Sequence, residues 1–495
     1  MLIAGIGSSL AFDLGLCPAS AVDFDDALRF GDLEPLVGFM LDTPLDNFQS
    51  AVVEKIKSGT DLKTLTAAAA LANARTFGGQ DYDGYHTFMA LGPAWQMAQE
   101  LPPAARALPV LKVLLRNAAR MNSVGGRSHE VLHAIEAGAA ADGDLQAATR
   151  GADMERAEAA FARLATGPIG EAYNHLQFSI QDEIDVHRVV LSWRAWMMLD
   201  VTGAAHAHTL LRQAVRFCVD SEQYMRQRGR QPNAIRELLP RLLSDHRLLD
   251  WTAGKRDPGN AWIEEMARIL FGGTQAQAAE AVAAALAEGV SPEAIGEAMS
   301  LAANQLLLHD PGRTPEQASP GKPAGSVHGA SVGVHASDSA NAWRNIARVS
   351  SSRNTAASLI VGAYHTAGQA HHVGAEPLGY QAAAAELGEV ASEELLSQLA
   401  DAVRSGEQLR ATALAWALGQ QGRSPRDVFD VLLQFAISAD GALHAEKYYR
   451  TVAEEFAATR PAFRWQHLAG LARVSASESA HPAPGHQEAR QLLGV

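Results

Sequence analysis

The stretch Ser438-Ala-Asp-Gly-Ala-Leu-His444-Ala-Glu-Lys447-Tyr-Tyr-Arg450 decides how the chain is read. Ahead of it, Ser424-Pro425 places a capping residue before a proline at the first helical position. Val428, Val431, Leu432 and Phe435 then recur at helical spacing and predict a buried helix face. The polar break Ser438-Ala-Asp440-Gly441 opens a second helix carrying His444 and Lys447. Three residues apart on a helix, these two side chains share a face. A histidine and a lysine aimed together into an apolar bundle call for a reason, and the chain repeats the arrangement with other histidines.

Working outward, Thr60 to Arg75 reads as a helix rich in alanine. The turn Gly78-Gly79-Gln-Asp81-Tyr82-Asp83-Gly84 leads to Tyr85-His86 and a helix through Met89, Leu91, Trp95 and Met97. His187 heads the apolar helix that continues through Trp193 and Trp196. Ser291-Pro292 starts another helix in the manner of Ser424-Pro425, and a Gly/Pro-rich loop over 310–325 follows it. The small residues around His328 and His335 allow close approach of backbone or ligand, and the helix beyond them carries Trp343. A later apolar helix carries Tyr364 and His365, and His371-His372 lie in a polar turn. Strand-like alternation is nearly absent, so the fold class is all-α, a multi-helix array of repeated helix-turn-helix units around a central His-lined cavity. The expected halves are 22–250 and 251–474, packed into one domain, with a mobile tail over 475–495.

The bulk numbers set limits. The 495 residues are 47% hydrophobic and 19% charged, with a net charge of -14, and they hold 18 histidines but only two cysteines. No basic stripe stands out, which argues against a nucleic-acid surface. Two cysteines support neither a disulfide framework nor a Cys-based zinc site, whereas the histidines are enough to staff a metal centre. Residues 1–21 combine a short apolar run with Ala19-Ser20-Ala21, which fits a cleavage site. The missing basic region points to a truncated twin-arginine type leader and a periplasmic or secreted protein, with a cytoplasmic protein as the alternative. No later stretch is long and apolar enough to span a membrane.

His129-Glu130-Val131-Leu132-His133 matches the H-E-x-x-H zinc motif. On a helix both histidines share one face, with Glu130 as a base, and this defines an alternative function as a zinc-dependent hydrolase. A zincin also needs a preceding strand and a third ligand, and neither is evident. A second alternative is a non-catalytic helical-repeat binding protein with structural histidines.

His86, His187, His335 and His444 each stand near the start of a helix with an aromatic one to three turns later: Trp95, Trp193, Trp343 and Tyr448. Equivalent positions in repeated units converge on one axis, and imidazoles gathered there suit iron, zinc or copper. Tyr85, Trp95, His328, Trp343 and His365 are the candidate substrate pocket.

Four segments resemble the questin oxidase-like family of α-helical enzymes in aromatic polyketide metabolism. They are Asp83-Gly-Tyr-His86-Thr-Phe-Met-Ala-Leu, Val186-His187-Arg-Val-Val-Leu-Ser-Trp-Arg-Ala, Val334-His335-Ala-Ser-Asp and Leu443-His444-Ala-Glu-Lys447-Tyr-Tyr-Arg450-Thr. Their order along the chain agrees with the family's. Asp83 stands where the family has its first histidine, and the glycine-rich sequel to the third motif is missing. The resemblance implies a mononuclear non-haem iron (Fe2+) oxygenase that oxidises or cleaves a planar aromatic or quinone-like substrate with O2. It implies His86, His187, His335, His444 and Lys447 at the metal, with zinc the less favoured ion and His444 and Lys447 as the catalytic pair. An ammonium cannot ligate a cation, so Lys447 is expected as a neutral amine, a carboxylated lysine (a carbamate), or a group beside the ligands.

Overall fold

A computed structural model describes residues 16–17, 27–136, 144–319, 322–327, 331–374, 376–478 and 481–495. The fold is an all-α multi-helix array. The extended structure among the described residues is minor: Leu16–Cys17 pairs in parallel with Ile135–Glu136, and three isolated bridges occur elsewhere. The chain divides into two compact units. The first comprises 1–236, 349–354 and 487–495, and the second comprises 237–348 and 355–486. The division falls near residue 236 rather than 250, and two short later pieces join the first unit. The leader reading over 1–21 falls almost wholly outside the described residues. No described helix is long and apolar enough to cross a membrane.

In the first unit, α1 (Leu62–Phe77) is capped by Asp61, which accepts from the Thr64 amide at 2.9 Å. It stops at Gly78 in the left-handed region, φ 56°. Gly79 follows at φ 80°, and a Cβ there would lie 2.3 Å from the Gln213 carbonyl oxygen, so the turn has no room for a side chain. Asp81 then caps α2 (Tyr82–Gln99), accepting from the Gly84 amide at 2.7 Å. A buried amide network joins these helices to α3 (Ala107–Ser123). Asn73 Nδ2 shares its two protons among Gly84 O, Thr87 Oγ1 and Asn117 Oδ1, at 2.7–2.9 Å. The network spends the Asn73 amide protons inside the core, where an unmade hydrogen bond is costly.

Two further helices complete the frame for the first histidines. α4 (Val186–Met197) is capped by Asp185, and Met197 reaches the space above Gly92 of α2, where a Cβ would sit 2.4 Å from its methyl. Arg188 of α4 is fully buried and pairs with Glu222 of α5 (Ala207–Gln227) at 3.2 Å. Glu222 also accepts from Arg236 at 2.5 Å. Charges removed from water need such partners, and these tie α4 to α5.

In the second unit, α6 (Asn260–Gly272) packs on α7 (Pro292–Leu308). Ser291 caps α7 ahead of its N1 proline, as the sequence predicts. α8 (Val332–Val349), all but its last residue, and α9 (Ser352–Ala367), from Thr355 onward, belong to this unit. α10 (Pro425–Ser438) begins at the expected proline, although the Ser424 side chain makes no capping bond. The polar break then gives a short turn, and α11 (His444–Ala458) and α12 (Trp465–Glu478) follow.

The described residues of the tail expected to be mobile take up regular structure. α12 runs on to Glu478, and α13 spans His486–Leu493. Between them His481 O accepts from the Asp440 amide, and Ala483 N donates to Ser438 O. The Ala/Gly/Asp-rich composition of 137–153 suggests a linker, yet Asp144–Gly151 is helical.

Candidate metal-ligand histidines

His86 and His187 come together in the first unit, with ring centroids 4.8 Å apart. The two N-caps explain why. Asp81 fixes the start of α2 and Asp185 the start of α4, so each histidine emerges from the first turns of a rigidly begun helix. His86 is 4% exposed, and its Nδ1 donates to the Tyr82 carbonyl at 2.7 Å. A carbonyl can only accept, so Nδ1 carries the proton and the buried Nε2 carries the lone pair. His187 Nδ1 lies 3.8 Å from Asp185 Oδ1, and its Nε2 is also shielded from solvent. This orientation of Nδ1 toward an oxygen, with Nε2 as donor to an ion, is the usual one at metal sites.

Aromatic rings surround the pair. Tyr85 lies 5.4 Å from His187 and 5.3 Å from Phe217, and Tyr82 lies 4.3 Å from His86. Burial, with help from the negative charge of Asp185, holds the Tyr85 phenol far above its ordinary pKa and keeps it neutral. Tyr82 and Phe217 belong to the cluster although sequence reasoning did not single them out. Their spacing, i to i+4 for Tyr82 and His86, was the available signal.

The second unit pairs His335 with His444, with centroids 5.6 Å apart. His335 lies in the first turn of α8 and His444 is the first residue of α11. Polar bonds beyond them hold α8 against α11. Thr451 Oγ1 donates to Asp338 at 2.7 Å, Asn341 donates to Glu455 at 2.8 Å, and Arg344 pairs with Glu455 at 2.5 Å. His444 Nδ1 donates to the Ala442 carbonyl at 3.2 Å, and the Nε2 atoms of both histidines are buried. The backbone entering His444 is unusual. Ala442 and Leu443 have φ of 45° and 67°, a conformation that non-glycine residues adopt at a cost of order 1–3 kcal/mol each. That strain sets His444 at the head of α11, and strain of this kind clusters at functional sites.

Lys447 is 2% exposed, one turn beyond His444, as the sequence implies. Glu446 is a surprise. Expected on a different face from Lys447, it is fully buried, and both its carboxylate oxygens are shielded from water. A buried acid and a buried amine therefore stand next to each other in sequence beside the histidine pair. Neither is without an interaction in the protein, as burial of either one requires.

The histidine spacing fits metal ligation within each unit. With a metal–nitrogen bond of about 2.1 Å, two imidazoles sharing an ion at 90–120° put their ring centres roughly 4.5–5.5 Å apart. The observed 4.8 Å falls inside this range and 5.6 Å at its upper edge, and both are also ordinary ring-packing distances. Each pair brings two imidazoles together. Among the described residues, no cluster of three or more His, Cys, Asp or Glu side chains poised for a metal occurs.

The remaining candidates separate. Trp343 is fully buried, and its Nε1 donates to Nδ1 of the buried His365 at 3.3 Å, so these two meet each other. Trp95 is half-buried on α2. His328 lies outside the described residues. His371 and His372 are exposed, as expected.

The zinc motif is corrected by the fold. His129 to His133 form an extended segment rather than a helix, so the two histidines do not stack across a helical turn. Gly125 and Gly126, at φ 118° and 57°, end the preceding helix. The Val131 and Leu132 amides then donate to the Arg75 carbonyl near the end of α1, at 2.9 and 3.0 Å. They are thereby lost to any i to i−4 ladder. Glu130 lies 4.0 Å from the Arg75 guanidinium.

No family model, no curated protein and no solved structure matches this chain. The questin oxidase-like resemblance rests on its four motifs.

Proposed function

We propose that this protein is a metal-dependent oxidoreductase, an iron oxygenase acting on a planar aromatic or quinone-like compound with O2. The imidazoles it would use are His86 and His187 in the first unit and His335 and His444 in the second, where Lys447 lies one turn beyond His444. One observation carries the reading: all four motif histidines occur as close pairs with Nε2 buried. In His86 and His444, moreover, a backbone carbonyl fixes the proton on Nδ1. Ferrous iron, once bound, would supply a site for O2 and for substrate. The chain's own part is to hold neutral imidazoles in position, exclude water around them and bring an aromatic ring against the tyrosines. Lys447, as a carbamate formed with CO2, would add the anionic oxygen that ferrous iron favours, whereas an ammonium there would repel the ion.

The test is metal analysis of protein made with iron supplied, together with oxygen uptake on a panel of anthraquinones. Iron is expected in the wild-type protein, and His86→Ala and His444→Ala should each lose most of it. Lys447→Ala should lower iron content and abolish oxygen uptake. Wild-type protein holding only trace metal would end this reading. Full iron and full turnover in Lys447→Ala would remove Lys447 from it.

A further inference from the structure

The second unit carries a cavity of about 260 Å3 that has no connection with the histidine pairs. It opens between α6, α7 and the start of α12. Its apolar wall is Ala267, Leu301 and Phe463, all nearly buried. The size lies just under the roughly 300 Å3 at which drug-sized pockets begin, so it suits a one- or two-ring compound.

Two glutamines give it a polar edge. Gln305 Nε2 donates to Gln466 Oε1 at 3.1 Å. A carboxamide has one acceptor oxygen and a two-proton donor nitrogen. The pairing therefore leaves Gln305 Oε1 as an acceptor and Gln466 Nε2 as a donor, side by side. Reversing both amides would leave the same combination. The Gln466 backbone is itself held, because its carbonyl accepts from Asn304 at 3.1 Å. His309 adds an acceptor. Its Nδ1 donates to the Gly374 carbonyl at 3.3 Å, which puts the lone pair on Nε2, and its ring rests 4.8 Å from that of Phe271.

The rim offers no free positive charge. Glu264 and Arg268 are both exposed, and Arg268 is already paired with Glu265 at 2.5 Å. With Arg268 spent on Glu265, an anionic ligand would find no free counter-ion here, and the carboxylate of Glu264 stands in solvent at the exposed edge.

We propose that this cavity binds a neutral aromatic lactam or carboxamide. The N–H of the ligand meets Gln305 Oε1, its carbonyl meets Gln466 Nε2, and its ring lies between the apolar wall and the Phe271 and His309 rings. This site is separate from the proposed oxygenase chemistry, and its test does not depend on metal.

Calorimetry and saturation-transfer NMR on the full chain with isocarbostyril, a two-ring lactam, test it. Binding with a Kd below about 1 mM is expected for a ligand of this size. N-methylisocarbostyril keeps the rings but loses the donor, and it should bind about tenfold more weakly. Gln305→Leu should weaken the parent lactam by about tenfold and leave the N-methyl compound nearly unchanged. Ala267→Phe fills the cavity and should abolish binding of both. Absence of binding to the wild-type protein at millimolar lactam would overturn the site. Unaltered binding to a folded Ala267→Phe protein would do the same. Equal affinity for the two compounds would overturn the ligand class. If Ala267→Phe fails to fold, Gln305→Leu and the N-methyl compound decide the matter.

Discussion

His467 makes the second unit sensitive to acid. The residue is 3% exposed on α12, and Nε2 lies 3.2 Å from Thr459 Oγ1. Burial pushes its pKa down. The Glu455 carboxylate pulls against that and the Arg344 guanidinium reinforces it, and the net result is a value of about 4 against an ordinary 6.5. The unfolded chain thus takes up a proton near pH 6.5, and the folded chain does so only near pH 4. Between these values the unfolded state binds more protons, so stability falls as pH falls. The contribution is whole above pH 6.5 and lost on descending to pH 4. A gap of about 2.5 units corresponds to about 3 kcal/mol, of which about 2 kcal/mol is gone by pH 5. His467→Gln cannot take a charge and retains a donor for Thr459, so its stability should lack this slope. Because the chain has two compact units, whole-chain unfolding need not be one transition, and a local measure is preferable. Hydrogen exchange of peptides covering 465–478, corrected for intrinsic rates, should show wild-type protection falling between pH 7 and pH 5. The variant should lose about 2 kcal/mol less over that interval. Equal slopes in the two proteins would refute the reasoning, because other carboxylates titrate alike in both.

Gly333→Ala should destabilise the second unit by about 1–3 kcal/mol in denaturant melts, because the new Cβ would stand 2.3 Å from the Leu307 Cα and backbone cannot yield as a side-chain tip can. The same variant should disturb the first turn of α8, which carries His335, visibly as faster exchange over residues 331–340. Asp81→Ala removes the cap of α2 and the partner of Arg120, bonded at 2.9 Å. It should cost about 1–2 kcal/mol, measured by thermal or urea unfolding, while Asp83→Ala, on a largely exposed side chain, should cost under about 0.5 kcal/mol.

Much of the frame could be read from local chemistry. Helix starts depend on a few neighbouring atoms, which is why Ser291-Pro292 and the Ser438 to Gly441 break predict where α7 begins and where α11 follows. The absence of strand periodicity likewise predicts an all-α fold, because apolar spacing reports directly on the buried face. The pairing of histidines was legible only as a shared pattern: a common position near a helix start says that side chains are comparable, not which of them touch. Three features needed the tertiary structure. The H-E-x-x-H segment is extended because the carbonyl of Arg75, distant in sequence, takes two of its amide protons. Glu446, next to Lys447 in sequence and so on another side of its helix, has no local sign of burial, yet the packing around α11 encloses it completely. The Ser/Pro/His-rich tail looked mobile by composition, but Asp440 and Ser438 supply backbone partners for His481 and Ala483. Sequence by itself determined where this chain becomes helical and which residues are chemically equipped for a metal. Which donors meet, and which charges leave water, depended on contacts between residues far apart in the chain, and those have no local signature.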